Sequence, residues 1–164
     1  DGMMINRICL LIISFLFFIS CNDSNNLQEK MDNLEAKLAD TYKPGFGEFM
    51  SSIQVHHAKL WFAGINQNWK LADFEIHEIK ESLDDILKFQ SDREESKALN
   101  IIDAPLDSVI SAIGKKDLSL FKQSFTALTN TCNACHEAVK FEFNKVKIPD
   151  TPPFSNQDFS VGQK

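Results

Sequence analysis

The chain has 164 residues, 43% hydrophobic and 24% charged, with only 6 glycines and 5 prolines. That composition suits one domain with its own core and excludes a collagen-like or disordered chain, while a single long apolar run excludes a polytopic membrane protein. With 23 acidic and 17 basic residues the formal charge is −6; no clustered basic surface is visible, which excludes nucleic acid as a partner.

In chain order, residues 1–20 come first. Arg7 precedes an apolar stretch from Ile8 to Ile19. One cation followed by about a dozen apolar residues is the pattern of a secretory signal peptide, and it falls short of the ~20 residues a membrane-spanning helix needs. Phe18-Ile19-Ser20-Cys21 resembles the bacterial lipoprotein box, in which the cysteine is lipidated and becomes the mature N-terminus. A plain signal peptide or an uncleaved anchor is the alternative. Both predict export, and the lipoprotein reading holds the chain at the periplasmic face of a membrane through Cys21. Residues 21–26 are a polar tether with nothing to bury.

Segment 27–43 carries Leu27, Met31, Leu34 and Leu38 at steps of four, three and four. This predicts an amphipathic helix with a narrow seam, too short at two heptads for a coiled coil and read as a stalk or packing helix. Lys43-Pro44-Gly45 breaks it.

Residues 44–147 predict four further helices. The first, about 46–65, aligns Phe46, Met50, Ile53, His57, Leu60, Trp61 and Gly64. The second, about 69–90, buries Ala72, Ile76, Ile79, Leu83, Ile86 and Leu87, and Ser91 to Ser96 is a charged connection. The third, about 97–114, carries Ile102, Leu106, Val109, Ile110 and Ile113, with Pro105 tolerable near a helix start. Asp117 is an N-cap for the last, about 118–143, whose stripe runs Leu118, Phe121, Phe125, Leu128, Cys132, Cys135 and Val139. No segment alternates with period two, so strands are not needed. Residues 148–164 contain Pro149, Pro152 and Pro153 and predict an extended tail, clipped back by Phe154 and Phe159. The fold class is therefore all-α: an antiparallel four-helix bundle with an extra N-terminal helix and a Pro-rich extended C-terminal tail.

The cysteines carry the chemistry. Cys9 falls in the leader and Cys21 at the lipid position, which leaves Cys132-Asn133-Ala134-Cys135-His136, the Cys-x-x-Cys-His signature of covalent c-type haem attachment. Two thiols add to the two vinyl groups on one edge of the porphyrin, and the adjacent imidazole must reach the iron. On a helix the three residues stand at i, i+3 and i+4 and share one face. The expected cofactor is thus one covalent haem c, held by Cys132 and Cys135 with His136 as proximal ligand. A redox dithiol would expect a thioredoxin-like alternation of strands and helices, and a zinc site a second pair of ligands; neither is present.

With these elements the chain resembles the cytochrome c′ class of four-helix-bundle cytochromes. Over about residues 44–160 it is similar to a group of bacterial haem lipoproteins, through Gln54-Val55-His56-His57-Ala58-Lys59-Leu60-Trp61, Asn68-Trp69-Lys70-Leu71-Ala72 and Pro153-Phe154-Ser155-Asn156-Gln157-Asp158-Phe159. In an up-down-up-down bundle the end of the fourth helix lies level with the start of the first, so the distal side of the iron should face Met50 and His57. They stand about 10.5 Å apart along the helix at 1.5 Å per residue, so one iron cannot take both. Met50 is nearer the expected level and resembles the ligand Met of low-spin members; His57 fits a bis-His alternative or a pocket role. His56 and His77 are expected at the surface, Trp61 and Trp69 in the core or against haem, and Lys59 in solvent or near a propionate.

The resulting expectation is a monohaem electron carrier, not an enzyme, exchanging single electrons with redox partner proteins. The alternatives are a five-coordinate protein that binds nitric oxide or carbon monoxide, and a haem subunit docked to a larger membrane complex. The lipid tether and Pro-rich tail depart from the cytochrome c′ class, so its usual dimer is not carried over and monomer or dimer stays open.

Overall fold

The computed structural model describes residues 24–38, 41 and 44–161. The predicted leader 1–20 and the lipidation candidate Cys21 lie outside the described residues. The chain divides into two compact units, residues 1–43 and 44–164.

In the first unit, helix α1 covers residues 24–38, so the last three residues of the predicted tether are already helical. Its seam of Leu27, Met31, Leu34 and Leu38 is more than half exposed at every position.

The second unit is all-α, with no strand among the described residues. Its elements are α2 (Phe46–Ile65), α3 (Trp69–Phe89), the short α4 (Glu94–Lys97), a 3-10 turn (Leu99–Ile102), α5 (Asp103–Lys115) and α6 (Leu118–Ala138). Helix α2 packs on α3, α3 on α5, α5 on α6 and α6 on α2. The α2–α3 pair runs antiparallel: side chains join Pro44 to Gln90, Ser52 to Ser82 and His56 to Glu75. Between the helices lie Leu60, Ile76, Ile86, Val109, Phe121, Phe125 and Leu128, all essentially without exposure. These are stripe positions, so hydrophobic burial orients each helix.

Helix ends follow from local chemistry. Asp117 caps α6 by accepting from the Leu120 amide at 2.9 Å, and Asn68 caps α3 by accepting from that of Leu71 at 3.3 Å. At their C-termini α2, α5 and α6 close through left-handed residues, Gln67 (φ 57°), Lys116 (φ 54°) and Lys140 (φ 65°). In α6 the Lys140 amide bonds the Glu137 carbonyl and the Phe141 amide that of His136, the two crossed bonds of a Schellman motif.

Gly64 is required by packing. A Cβ there would stand 2.1 Å from ring carbons of Phe121, so α2 and α6 approach as closely as they do because this position has no side chain. Around it Trp61, Trp69, Phe121 and Phe125 form one ring cluster, with centroids 5.0 to 6.2 Å apart.

Four expectations need correction. Helix α6 ends at Ala138 rather than near 143, because the Schellman motif turns the chain away, and residues 141–161 carry no helix. The stretch expected to open the third helix at 97 forms α4 and the 3-10 turn instead; α5 begins at Asp103, with Pro105 in its first turn, where no helical amide bond is lost. Leu87 is exposed, since Ile86 takes the core position beside it. Glu75 is buried at 1% exposure, and His56, expected at the surface, is only 15% exposed because its Nδ1 bonds Glu75 Oε2 at 2.6 Å. His77 is exposed as expected. Of the two clipping aromatics, Phe159 is buried against Phe62, while Phe154 stays exposed with the Lys59 ammonium over its ring.

Candidate functional site

The core stripes of α2 and α6 do not close completely at one end. There a pocket opens whose walls are Met50, Ile53, Gln54 and His57 from α2, Ile79 and Leu83 from α3, Leu99 and Ile102 from the 3-10 turn, Leu128, Cys132, Cys135 and His136 from α6, and Asn144 to Val146 beyond it. Its cavity volume is about 100 Å³, and its mouth is open to solvent. Met50, His57, Cys132, Cys135 and His136, singled out in the sequence, all face this one pocket.

Each is there for a local reason. Cys132, Cys135 and His136 continue the stripe of α6 past Leu128, where the core runs out of facing side chains. Met50 and His57 stand seven residues apart on α2 and meet the same end of α6. Met50 is half-buried and packs against the core.

The imidazole of His136 is held from behind. Its Nδ1 donates to the Asn144 carbonyl at 2.6 Å, which assigns the proton to Nδ1 and leaves the Nε2 lone pair free. A histidine prepared to ligate a metal through Nε2 needs this arrangement. The carbonyl is delivered by the chain reversal after Ala138. Asn133 secures the reversal: its Nδ2 donates to the Val146 carbonyl at 2.9 Å and its Oδ1 accepts from the Val146 amide at 2.8 Å.

Both thiols are held in the protonated form. Burial and the neighbouring Cys135 push Cys132 up from 9.0 to about 11, and burial raises Cys135 too. Reactive cysteines show the opposite shift. Among the described residues no group of three or more His, Cys, Asp or Glu is arranged to hold a metal ion by itself. The donor set that faces the pocket, two thiols on one helix face and one imidazole with Nε2 free, fits a haem stitched at one edge and ligated from below.

His57 faces the pocket differently. The Thr129 hydroxyl donates to the Phe125 carbonyl at 2.9 Å, so it accepts from His57 Nε2–H, also at 2.9 Å. The ring lies 4.5 Å from that of Phe125. Desolvation lowers its pKa from 6.5 to about 4, so the imidazole is neutral at pH 7. Because the folded value is depressed, the unfolded chain takes up a proton at pH 6.5 that the folded chain refuses until about pH 4. Stability attributable to His57 is complete above pH 6.5 and falls across this window, by about 3 kcal/mol at its lower edge. Urea unfolding at pH 7, 5.5 and 4 should show the fall, and His57→Gln should flatten it.

Sequence reasoning missed Asn133, Asn144 and Thr129. Asn133 lies inside the motif at a position with no required identity, and its partner Val146 sits in a segment without periodicity. Thr129 stands 72 residues from His57; only its place one turn before Cys132 hinted at the pocket.

Lys59 points to Phe154 and does not line the pocket, and neither do Trp61 and Trp69. Among the described residues no helix is long and apolar enough to cross a membrane. Comparison of the chain with protein-family models, curated proteins and solved structures returns no match.

Proposed function

We propose that this chain is an exported monohaem c-type cytochrome that carries single electrons, with one haem attached through Cys132 and Cys135. The observation that carries the reading is His136, the last residue of the Cys-x-x-Cys-His motif, lining the same open pocket as Cys132 and Cys135 with Nδ1 bound to a backbone carbonyl. In this reading α2, α3, α5 and α6 form an antiparallel four-helix bundle, residues 148–164 form its extended tail, and Cys21 carries the lipid that ties it to a membrane.

The bound haem supplies an iron that accepts and returns one electron; the rest is the protein's work. Cys132 and Cys135 would hold the ring edge through two thioether bonds. His136 offers Nε2 as proximal donor. Ile53, Ile79, Leu83, Ile102 and Leu128 exclude water, and an apolar wall favours the less charged ferrous state. Met50 offers a thioether from the opposite wall. His57 has Nε2 occupied by Thr129, which favours a pocket role over ligation.

The test is an absorption spectrum and an intact mass of protein matured in a host competent for cytochrome assembly. The reading expects reduced haem c bands and the mass of one added haem. Met50→Ala should convert a low-spin spectrum to high-spin. A parent that is already high-spin and binds carbon monoxide on reduction would favour the gas-binding alternative, for which the apolar pocket is equally suited.

A further inference from the structure

We propose that Asn133 is a positioning residue for the proximal imidazole, acting through residues 141–146 as a strap. The inference rests on the haem reading and deepens it.

Three hydrogen bonds define the device. Both polar groups of the Asn133 amide are matched to both backbone groups of Val146, at 2.8 and 2.9 Å. Two residues earlier on the same strap, the Asn144 carbonyl takes the His136 Nδ1 proton at 2.6 Å. Asn133 and His136 lie three residues apart on α6, so one helix face carries both the clamp and the group it serves. The strap's remaining bonds are the Phe141 and Asn144 amides, to His136 and Phe141 respectively. They set the turn and do not fix Asn144 relative to the imidazole; the Asn133 clamp does.

The residue type is specific. Aspartate keeps the acceptor and loses the donor, serine loses reach, and glutamine keeps both groups on a stem one methylene longer. The chemical consequence lies at Nε2. A carbonyl that holds the Nδ1 proton raises the basicity of the opposite nitrogen and fixes the ring's direction. A more basic proximal nitrogen favours ferric over ferrous iron. Asn133 therefore holds the reduction potential down by keeping Asn144 in place.

The test compares parent, Asn133→Gln and Asn133→Ala as mature holoproteins. All three keep both thiols and His136, so each should carry one covalent haem by mass. At a fixed applied potential the reduced-to-oxidised ratio should rise about tenfold in Asn133→Ala, equal to ~59 mV for one electron, with Asn133→Gln in between. The Val146 amide should exchange with solvent at least tenfold faster in Asn133→Ala, and the Nδ1 proton resonance of the ferrous protein should move. Faster Val146 exchange with an unchanged potential and Nδ1 resonance would overturn the proposal and leave Asn133 a structural clamp only. If Asn133→Ala yields no holoprotein, Asn133→Gln decides alone, and an unchanged potential overturns it. A parent without covalent haem is a distinct result: it sinks the functional reading, while the exchange rate at Val146 still reports the clamp.

Discussion

Replacing Cys132 and Cys135 together by serine is expected to abolish covalent haem completely, giving a colourless chain at its bare peptide mass. Serine matches cysteine in shape to within one atom, and both positions border the pocket, Cys135 from within the core and Cys132 packed against it, so the substitution leaves the packed volume nearly unchanged. Helical content by circular dichroism should therefore persist, so the loss reads as lost attachment and not as unfolding. Each single variant should keep one thioether and remain coloured. A double variant that still carries haem mass after denaturation would refute attachment at these thiols.

The second large effect concerns stability. His56→Ala should cost about 3 kcal/mol or more, measured by urea unfolding at neutral pH. Glu75 is almost wholly buried between α2 and α3, and its Oε2 bonds His56 Nδ1 at 2.6 Å; among the described residues the other acidic neighbour of that imidazole is Glu78, at 3.8 Å from Nε2. Removing the imidazole leaves a carboxylate without its partner in a place water does not reach, and such losses exceed those of surface pairs severalfold. Glu75→Gln in the same background should recover part of the loss, since an amide is cheaper to bury than a charge. His56 does not line the pocket, so haem spectra should be unchanged. A cost below 1 kcal/mol would show that the carboxylate finds another partner.

Helix type and core faces were legible because the stripes of α2, α3, α5 and α6 repeat at helical spacing, and the core obeys that repeat at Leu60, Ile76, Val109 and Phe125. The N-cap at Asp117 was legible for the same local reason. The Cys-x-x-Cys-His motif was read from its own five residues, and the structure adds that Cys132, Cys135 and His136 line one pocket. What stayed hidden depends on contacts that periodicity cannot encode. Glu75 occupies a stripe position, between Ala72 and Ile79, yet its charge argued for solvent; His56 supplies the partner from another helix. The end of α6 was hidden because Lys140 takes a left-handed conformation without being glycine. The support of His136 arises only after that turn, from Asn144 and Val146, which carry no pattern of their own.

The ring cluster beside the pocket gives the protein an intrinsic optical reporter. The chain has 2 tryptophans, and both belong to that cluster: Trp61 meets Phe125 at 5.0 Å, and Phe125 meets the pocket residue His57 at 4.5 Å. A porphyrin seated there absorbs where indole emits, so energy transfer would darken their fluorescence. Under the haem reading, occupancy would be readable from emission alone, without label or tag.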